Sequence, residues 1–389
     1  MNNFFLPLMN DNIDKDDVNS VIEFLSQDKI PKLTNGPKVL EFENAWGQWL
    51  GTKYNLFVNS GASANELTML AIAHIIGEGE IIIPPLTWIS DISSVIFAGH
   101  KLVFVDVNFT NLSFDIEKLK AAITSETKAI FLTHVLGING LTNDLLKICE
   151  EKNILLIEDV CESHGTTFQG CKVGNFGFAS NFSFYFAHHM STIEGGMIST
   201  NNWEFYQVCR ALRSHGMTRE MTSDSMKVSI AMDNPDLNPD FIFLRPAHNF
   251  RSTEINAVIG LSQLQKLDSK NQERRDNFDL FISNLNCEKY HTALDTEGNC
   301  NYAFIVILKD ADFTKRNEIE KKLKNSGIEF RRGLSGGGNQ MRQPFFKSTY
   351  NDFSDFPNIE HVHNFSWYIG NYPGLEKEKI IKLLEVLNG

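Results

Sequence analysis

A regular alternation between about residues 55 and 200 constrains this chain most. Short apolar runs occupy residues 55–59, 80–83, 101–105, 128–133, 154–159, 179–184 and 197–200. Between them, residues 64–76 and 141–152 carry apolar side chains at helical spacing, and Asp115, ahead of Ile116, Leu119 and Ile123, reads as a helix start. Parallel strands need long crossovers, and helices on both faces of a sheet make its strands apolar throughout. The alternation therefore predicts an α/β fold whose mostly parallel sheet is covered by helices on both sides.

Beyond residue 200 the pattern changes. Residues 221–240 are rich in Asp, Asn and Pro and predict a long loop, a length that in a compact domain is often functional. Residues 253–267 read as a helix with one apolar face. A strand is expected over 304–308, with helices over 314–325 and 380–387. The expected division is 1–275 for an N-terminal arm and large domain, and 276–389 for a smaller C-terminal α/β domain. A chain of 389 residues is long enough for both.

Composition excludes several partners. A net charge of -12 argues against nucleic acid or an anionic membrane surface, although a local cationic pocket can still take an anionic ligand. The first residues lack the basic and apolar segments of a secretory leader, and no stretch of about 18 apolar residues occurs. The cysteines at 149, 161, 171, 209, 287 and 300 are scattered, with no C-x-x-C pair and no zinc spacing. They predict a reducing cytoplasm, no metal and no iron–sulfur cluster.

Four local patterns carry chemistry. In NSGASANE, residues 59–66, a predicted strand gives way to a predicted helix, and amides at such a helix start suit an anion. On spacing alone, a helix cap of small residues reads the same. Trp88 follows Pro84 and Pro85 at a strand end, where ligand sites of open sheets collect; a core tryptophan is the alternative. Asp159 ends the run NILLIED, where a buried carboxylate needs a partner. The segment 181–200, NFSFYFAHHMSTIEGGMIST, places Ser183, Phe184 and His188 ahead of Glu194, Gly195 and Gly196.

Together these residues resemble the DegT/DnrJ/EryC1/StrS family of sugar aminotransferases, over most of the chain. The resemblance implies an aspartate-aminotransferase-type (fold type I) fold and pyridoxal 5′-phosphate or pyridoxamine 5′-phosphate as cofactor. It implies that Gly61, Ala62, Ser63 and Ser183 bind the cofactor phosphate, that Trp88 stacks on the ring, and that Asp159 pairs with the ring nitrogen. Glu162 stands where many relatives carry glutamine, near the phenolic oxygen. Asn249, in RPAHNFRST, would reach the phosphate of a neighbouring subunit, so a homodimer with shared sites is implied, with Arg251 beside it.

One departure redirects the chemistry. The family's segment reads roughly S-F-x-x-x-K, and here His188 stands at the lysine position. Imidazole forms no Schiff base but moves protons near neutral pH. That combination resembles the family's 3-dehydratases. It implies removal of the C3 hydroxyl of GDP-4-keto-6-deoxy-D-mannose, with His188 as catalytic proton carrier and L-glutamate restoring the cofactor amine. Arg219, Arg331 and Arg332, with Arg251 and the glycine-rich residues 333–344, are candidates for the sugar nucleotide's diphosphate. Other readings stay open: an aminotransferase, a 3-dehydratase for another nucleotide sugar, or a catalytically silent scaffold. His189 and His164 receive no role.

Overall fold

The computed structural model describes residues 4–389. Helix α1 (Lys15–Leu25) starts at a capping box formed by Asp14 and Asp17, and α2 (Pro37–Leu50) begins on a proline in its first turn. The alternating region then unfolds in order: β1 (Tyr54–Val58), α3 (Gly61–Ile76), β2 (Glu80–Ile83), α4 (Ile89–Phe97), β3 (Lys101–Phe104), α5 (Ile116–Ala122), β4 (Thr127–Thr133), α6 (Asn143–Lys152) and β5 (Leu155–Asp159). A two-residue hairpin, β6 (Thr167–Phe168) with β7 (Cys171–Lys172), precedes β8 (Ala179–Ser183) and β9 (Gly196–Thr200).

Seven strands form one sheet in the order β1-β9-β8-β5-β4-β2-β3. The pairs from β8 through β5, β4 and β2 to β3 are parallel, and β9 runs antiparallel to both its neighbours. One apolar layer packs α3 and α4 with Ile81, Phe131 and Ile157; the other packs α2 with Phe57, Phe182 and Phe184. The inner strands β2, β4, β5 and β8 thus bury both faces, which is why their runs read as largely apolar, while edge strand β3 leaves Lys101 exposed. The carboxyl ends of β1, β2, β4, β5 and β8 share one edge of the sheet, and the loops leaving that edge carry the candidate residues.

Helix α7 (Trp203–Leu212) follows, and here the structure corrects the sequence reading. Residues 221–240 are not a continuous loop: α8 (Asp224–Asp233) forms inside them, with the Ser223 side chain capping the N–H of Met226. None of its residues is buried, so no apolar stripe marks it in the sequence. Helix α9 (Glu254–Asn284) runs well past residue 267. Its later inward face mixes hydrogen-bonded polar side chains with the buried Phe278 and Phe281. Asn271 Nδ2 donates to the His164 carbonyl at 3.0 Å, Arg274 Nη1 to the Tyr302 carbonyl at 3.2 Å and Asn277 Nδ2 to Asn371 Oδ1 at 3.2 Å.

The remaining chain forms β10 (Ala303–Ile307), α10 (Phe313–Asn325), β11 (Phe330–Arg332), α11 (Pro357–Phe365), β12 (Ser366–Gly370) and α12 (Lys377–Asn388). Its antiparallel sheet has the order β10-β12-β11. No helix among the described residues is long and apolar enough to cross a membrane, and no group of three His, Cys, Asp or Glu side chains among them could hold a metal ion.

Candidate active site

The turn between β1 and α3 is built by crowding. Gly61 is buried, and a Cβ there would stand 2.5 Å from the Cβ of Ser183 and 3.1 Å from Cys161 Sγ. A Cβ on Gly196 would stand 2.3 Å from the Ser60 carbonyl oxygen and 2.7 Å from the Gly61 nitrogen. So β8 and β9 press directly on the turn, and the Glu194–Gly195–Gly196 motif makes room for it. The N–H groups of Gly61 and Ala62 open α3 and have no acceptor within it. Ser63 differs from the expectation of a free amide. Its N–H is taken by Ser60 Oγ at 3.0 Å, and its hydroxyl donates to Asn59 Oδ1 at 2.5 Å. Ser183 is buried at the end of β8, facing this turn.

Asp159 closes β5 and is buried. Its Oδ1 accepts the N–H of Cys161 at 2.8 Å, and Oδ2 lies 3.4 Å from Asn65 Nδ2. Trp88 is no core tryptophan. It precedes α4 with half its surface exposed, 52%.

His188 lies on the turn after β8. Its N–H donates to the Tyr185 carbonyl at 3.0 Å, and its carbonyl accepts from Asn12 Nδ2, so the N-terminal arm pins it. The ring sits 5.5 Å from that of Tyr302 and 6.0 Å from that of Tyr185. Its Nδ1 is buried with no hydrogen-bond partner. Burial pushes the imidazole down to about 4, with Asp159 pulling it up and Arg274 adding to the depression. The group therefore stands neutral at pH 7. An ordinary imidazole value, expected from the sequence, does not survive this burial.

Glu162 accepts the Leu136 N–H at 3.1 Å. Burial raises it to about 7, the Leu136 N–H opposing and the Asp159 charge adding. Its protonation is thus balanced near neutrality. The glycine-rich segment also reaches this edge: Gln340 N–H donates to the Pro85 carbonyl at 3.0 Å, and Asn339 bridges to Leu86. Ser335 Oγ, buried without a partner, lies close to Glu162.

The remaining candidates divide. Asn249 and Arg251 lie beside the turn: Asn59 N–H donates to the Phe250 carbonyl at 2.9 Å, and Arg251 pairs with Val58. Asn249 itself is exposed, its Oδ1 turned back onto the Arg251 N–H at 3.1 Å. Arg331 is half exposed, its Nη2 donates to Glu329 Oε1 at 3.1 Å, and it sits opposite Tyr368, whose hydroxyl burial and the Glu162 charge raise. Arg332 points the other way and is spent. It forms two hydrogen bonds to Glu320 at 2.6 and 2.7 Å, so it is withdrawn as a diphosphate ligand. Arg219 lies over the Phe241 ring at 5.2 Å, with no bond to the Asp159–His188 cluster among the described residues.

The sequence reading missed Asp91, Asn65, Asn12, Arg274, Tyr302 and Ser335. Asn65, an amide within an apolar helix, was the one visible signal. Asp91 reads as an ordinary first-turn acid, and Tyr302 and Arg274 arrive from distant segments. His189 Nε2 donates to the Cys300 carbonyl at 2.9 Å, and the residue is buried.

Known proteins are similar to this chain in sequence and in backbone fold. A GDP-4-keto-6-deoxy-D-mannose 3-dehydratase of Yersinia pseudotuberculosis is 30% identical over 387 residues, 98% of each chain. The solved structure of the E. coli GDP-4-keto-6-deoxy-D-mannose-3-dehydratase with bound hydrated PLP superposes with a TM-score of 0.87 at 28% identity, covering 99% of each chain. A GDP-4-keto-6-deoxymannose-3-dehydratase with a trapped PLP-glutamate geminal diamine gives 0.86 at 28% identity, covering 98% of this chain and 100% of that one. With a family profile that matches residues 11–388 laid over the same sheet and the same strand-end loops, this chain belongs to the DegT/DnrJ/EryC1/StrS aminotransferase family.

Proposed function

We propose that this protein removes the C3 hydroxyl of GDP-4-keto-6-deoxy-D-mannose, using pyridoxamine phosphate that L-glutamate regenerates. One observation carries the reading: His188, a neutral imidazole with an unpartnered nitrogen, occupies the position of the family lysine, and no lysine lies between Gly174 and Thr200.

The residues fit the cofactor. Gly61 and Ala62 offer amides that suit a phosphate dianion at a helix start. Asp159 offers a buried carboxylate for a ring nitrogen, and exposed Trp88 a face for the ring. When bound, the cofactor would supply an amine for the C4 ketone and, from the carbon bearing that amine, the proton and electron pair that expel the C3 oxygen. His188 would accept that proton on a ring nitrogen and pass it to the departing C3 oxygen, so that water leaves. Its depressed pKa keeps it in the accepting form. Glu162, raised to about 7, can hold or release a proton near Asp159.

On the same reading Arg251, Arg219 and Arg331 serve the diphosphate, Asn249 serves a partner chain's phosphate in a homodimer, and the protein works in the cytoplasm. The division after residue 275 stays part of the proposal, with α9 running through it. Turnover with GDP-, CDP-, dTDP- and UDP-linked 4-keto-6-deoxy sugars, pyridoxal phosphate and glutamate tests it. The expected product is the GDP-linked 4-keto-3,6-dideoxy sugar, with 2-oxoglutarate and ammonia. An amino sugar as product would make the protein an aminotransferase, and no consumption of glutamate would make it silent.

A further inference from the structure

Asp91 lies in the first turn of α4, and its side chain is fully buried. It does not cap its own helix. Asn65 Nδ2 donates to its Oδ1 at 2.5 Å, while Oδ2 accepts from Thr87 Oγ1 and from Thr133 Oγ1 at 3.1 Å. The two threonine hydroxyls also contact each other at 2.7 Å. Two hydroxyl protons cannot fill all three sides of that triangle of oxygens; a proton on Asp91 can. The same Asn65 nitrogen lies 3.4 Å from Asp159 Oδ2, so two buried carboxyl groups share one amide donor.

Among the described residues no Lys or Arg bonds either carboxyl, and the groups that face Asp159 from beyond the pair are the neutral His188 imidazole and Glu162. The titratable groups that face Asp91 are Asp159 on β5 and the Cys161 thiol beyond it, whose own ionisation burial suppresses. The other neighbours, on α3, β4 and the loop after β2, bring only neutral donors. Two adjacent buried carboxylates do not both ionise. Burial and the Asp159 charge hold Asp91 far above the usual carboxylate range, so the proton belongs to Asp91.

The geometry points to Asp91 as a positioning residue, a neutral acid whose proton closes the threonine triangle, which holds the Asn65 amide between the two carboxyls and leaves Asp159 as the single anion of the pair. This rests on the reading of Asp159 as the carboxylate that faces a cofactor ring nitrogen. A carboxylate in this place would compete for that cationic partner, and an apolar side chain would release the Asn65 amide that the two carboxyls share.

The protonation is testable without cofactor. Urea unfolding of the apo protein and of Asp91→Asn is compared from pH 4 to pH 8. If Asp91 stays protonated in the fold, the unfolding constant of the native chain rises relative to that of Asp91→Asn by about tenfold per pH unit above ~4, because only the unfolded chain releases the proton. Infrared spectra at pH 8 should show a protonated-carboxyl band in the native protein that Asp91→Asn lacks. Parallel pH profiles, or no such band, overturn the proposal. The positioning role has its own readout in pyridoxal phosphate affinity. Asp91→Leu should weaken it by about tenfold or more, the worth of a hydrogen bond to a charged group, and Asp91→Asn, which keeps a donor, should recover most of that loss. Equal losses in both would reduce Asp91 to a filler of space. Native protein that shows the pH effect and the band but binds no pyridoxal phosphate would fail the cofactor reading alone.

Discussion

Gly61 and Ser183 meet across the turn at the head of α3: a Cβ on Gly61 would lie 2.5 Å from the Cβ of Ser183 and 3.0 Å from its hydroxyl. The backbone at Gly61 is not in the left-handed region, so the requirement is for space and not for conformational freedom. Gly61→Ala should therefore lower the urea midpoint, costing about 1–3 kcal/mol as overpacking usually does, and should displace the amides offered to a phosphate. Adding Ser183→Gly, which removes the opposing Cβ, should restore most of the stability. A double variant no more stable than Gly61→Ala would locate the clash elsewhere.

His188→Asn keeps size and polarity but not the base. Pyridoxal phosphate binding, followed by its absorption, should persist. Dehydration should fall about 10²–10⁴-fold, the usual worth of a positioned general base. A rate within a few-fold of the native protein would take His188 out of the mechanism.

The pH dependence of apo-protein stability should carry two opposed contributions. Glu162, raised to about 7, holds in the fold a proton that the unfolded chain releases. Its contribution is full below about pH 4.5 and is lost as pH rises to 7. Glu162→Gln should thus gain on the native protein by about 1–3 kcal/mol across that window and no further above it. His188, lowered to about 4, behaves in reverse. Its contribution is full above pH ~6.5 and is lost as pH falls towards 4, a loss that His188→Asn should not share. Chemical denaturation at fixed pH intervals reads both. Variants that track the native curve would contradict the burial of these groups.

Asn249 is exposed on the segment that packs against Asn59. If it serves a partner chain, an Asn249→Ala chain and a His188→Asn chain, refolded together, should form one intact site and regain part of the native rate. Heterodimers verified by mass that remain inactive would confine each site to one chain.

His188→Lys should restore an amine beside the pyridoxal aldehyde at high effective concentration. Borohydride should then fix the cofactor to residue 188, detectable by peptide mass. Dehydration should drop, since a lysine of ordinary pKa ~10.4 is a poor base at pH 7. A folded variant that binds pyridoxal phosphate without any adduct would show that residue 188 faces away from the aldehyde.

The alternation of apolar runs and helical spacing was enough to predict the sheet, because each strand of β2, β4, β5 and β8 buries both faces and records that burial locally. The turn at Gly61, the strand-end Asp159 and the substitution at His188 were legible for a similar reason: each follows a strand and carries its chemistry within a few residues. Other features depend on partners far away in the chain. Arg332 could be a free cation until the fold sets Glu320 beside it, and α8 has no buried face to announce it. The second half of α9 buries amides and an arginine, which read as surface until Asn371 and Tyr302 supply their hydrogen bonds. Asp91 lies in the first turn of α4 and Asp159 closes β5, and only the parallel register of β2, β4 and β5 brings the two carboxyls to one amide. Residue identity determined which groups could carry protons. The tertiary structure decided which of them are buried together, and burial decides which form each takes.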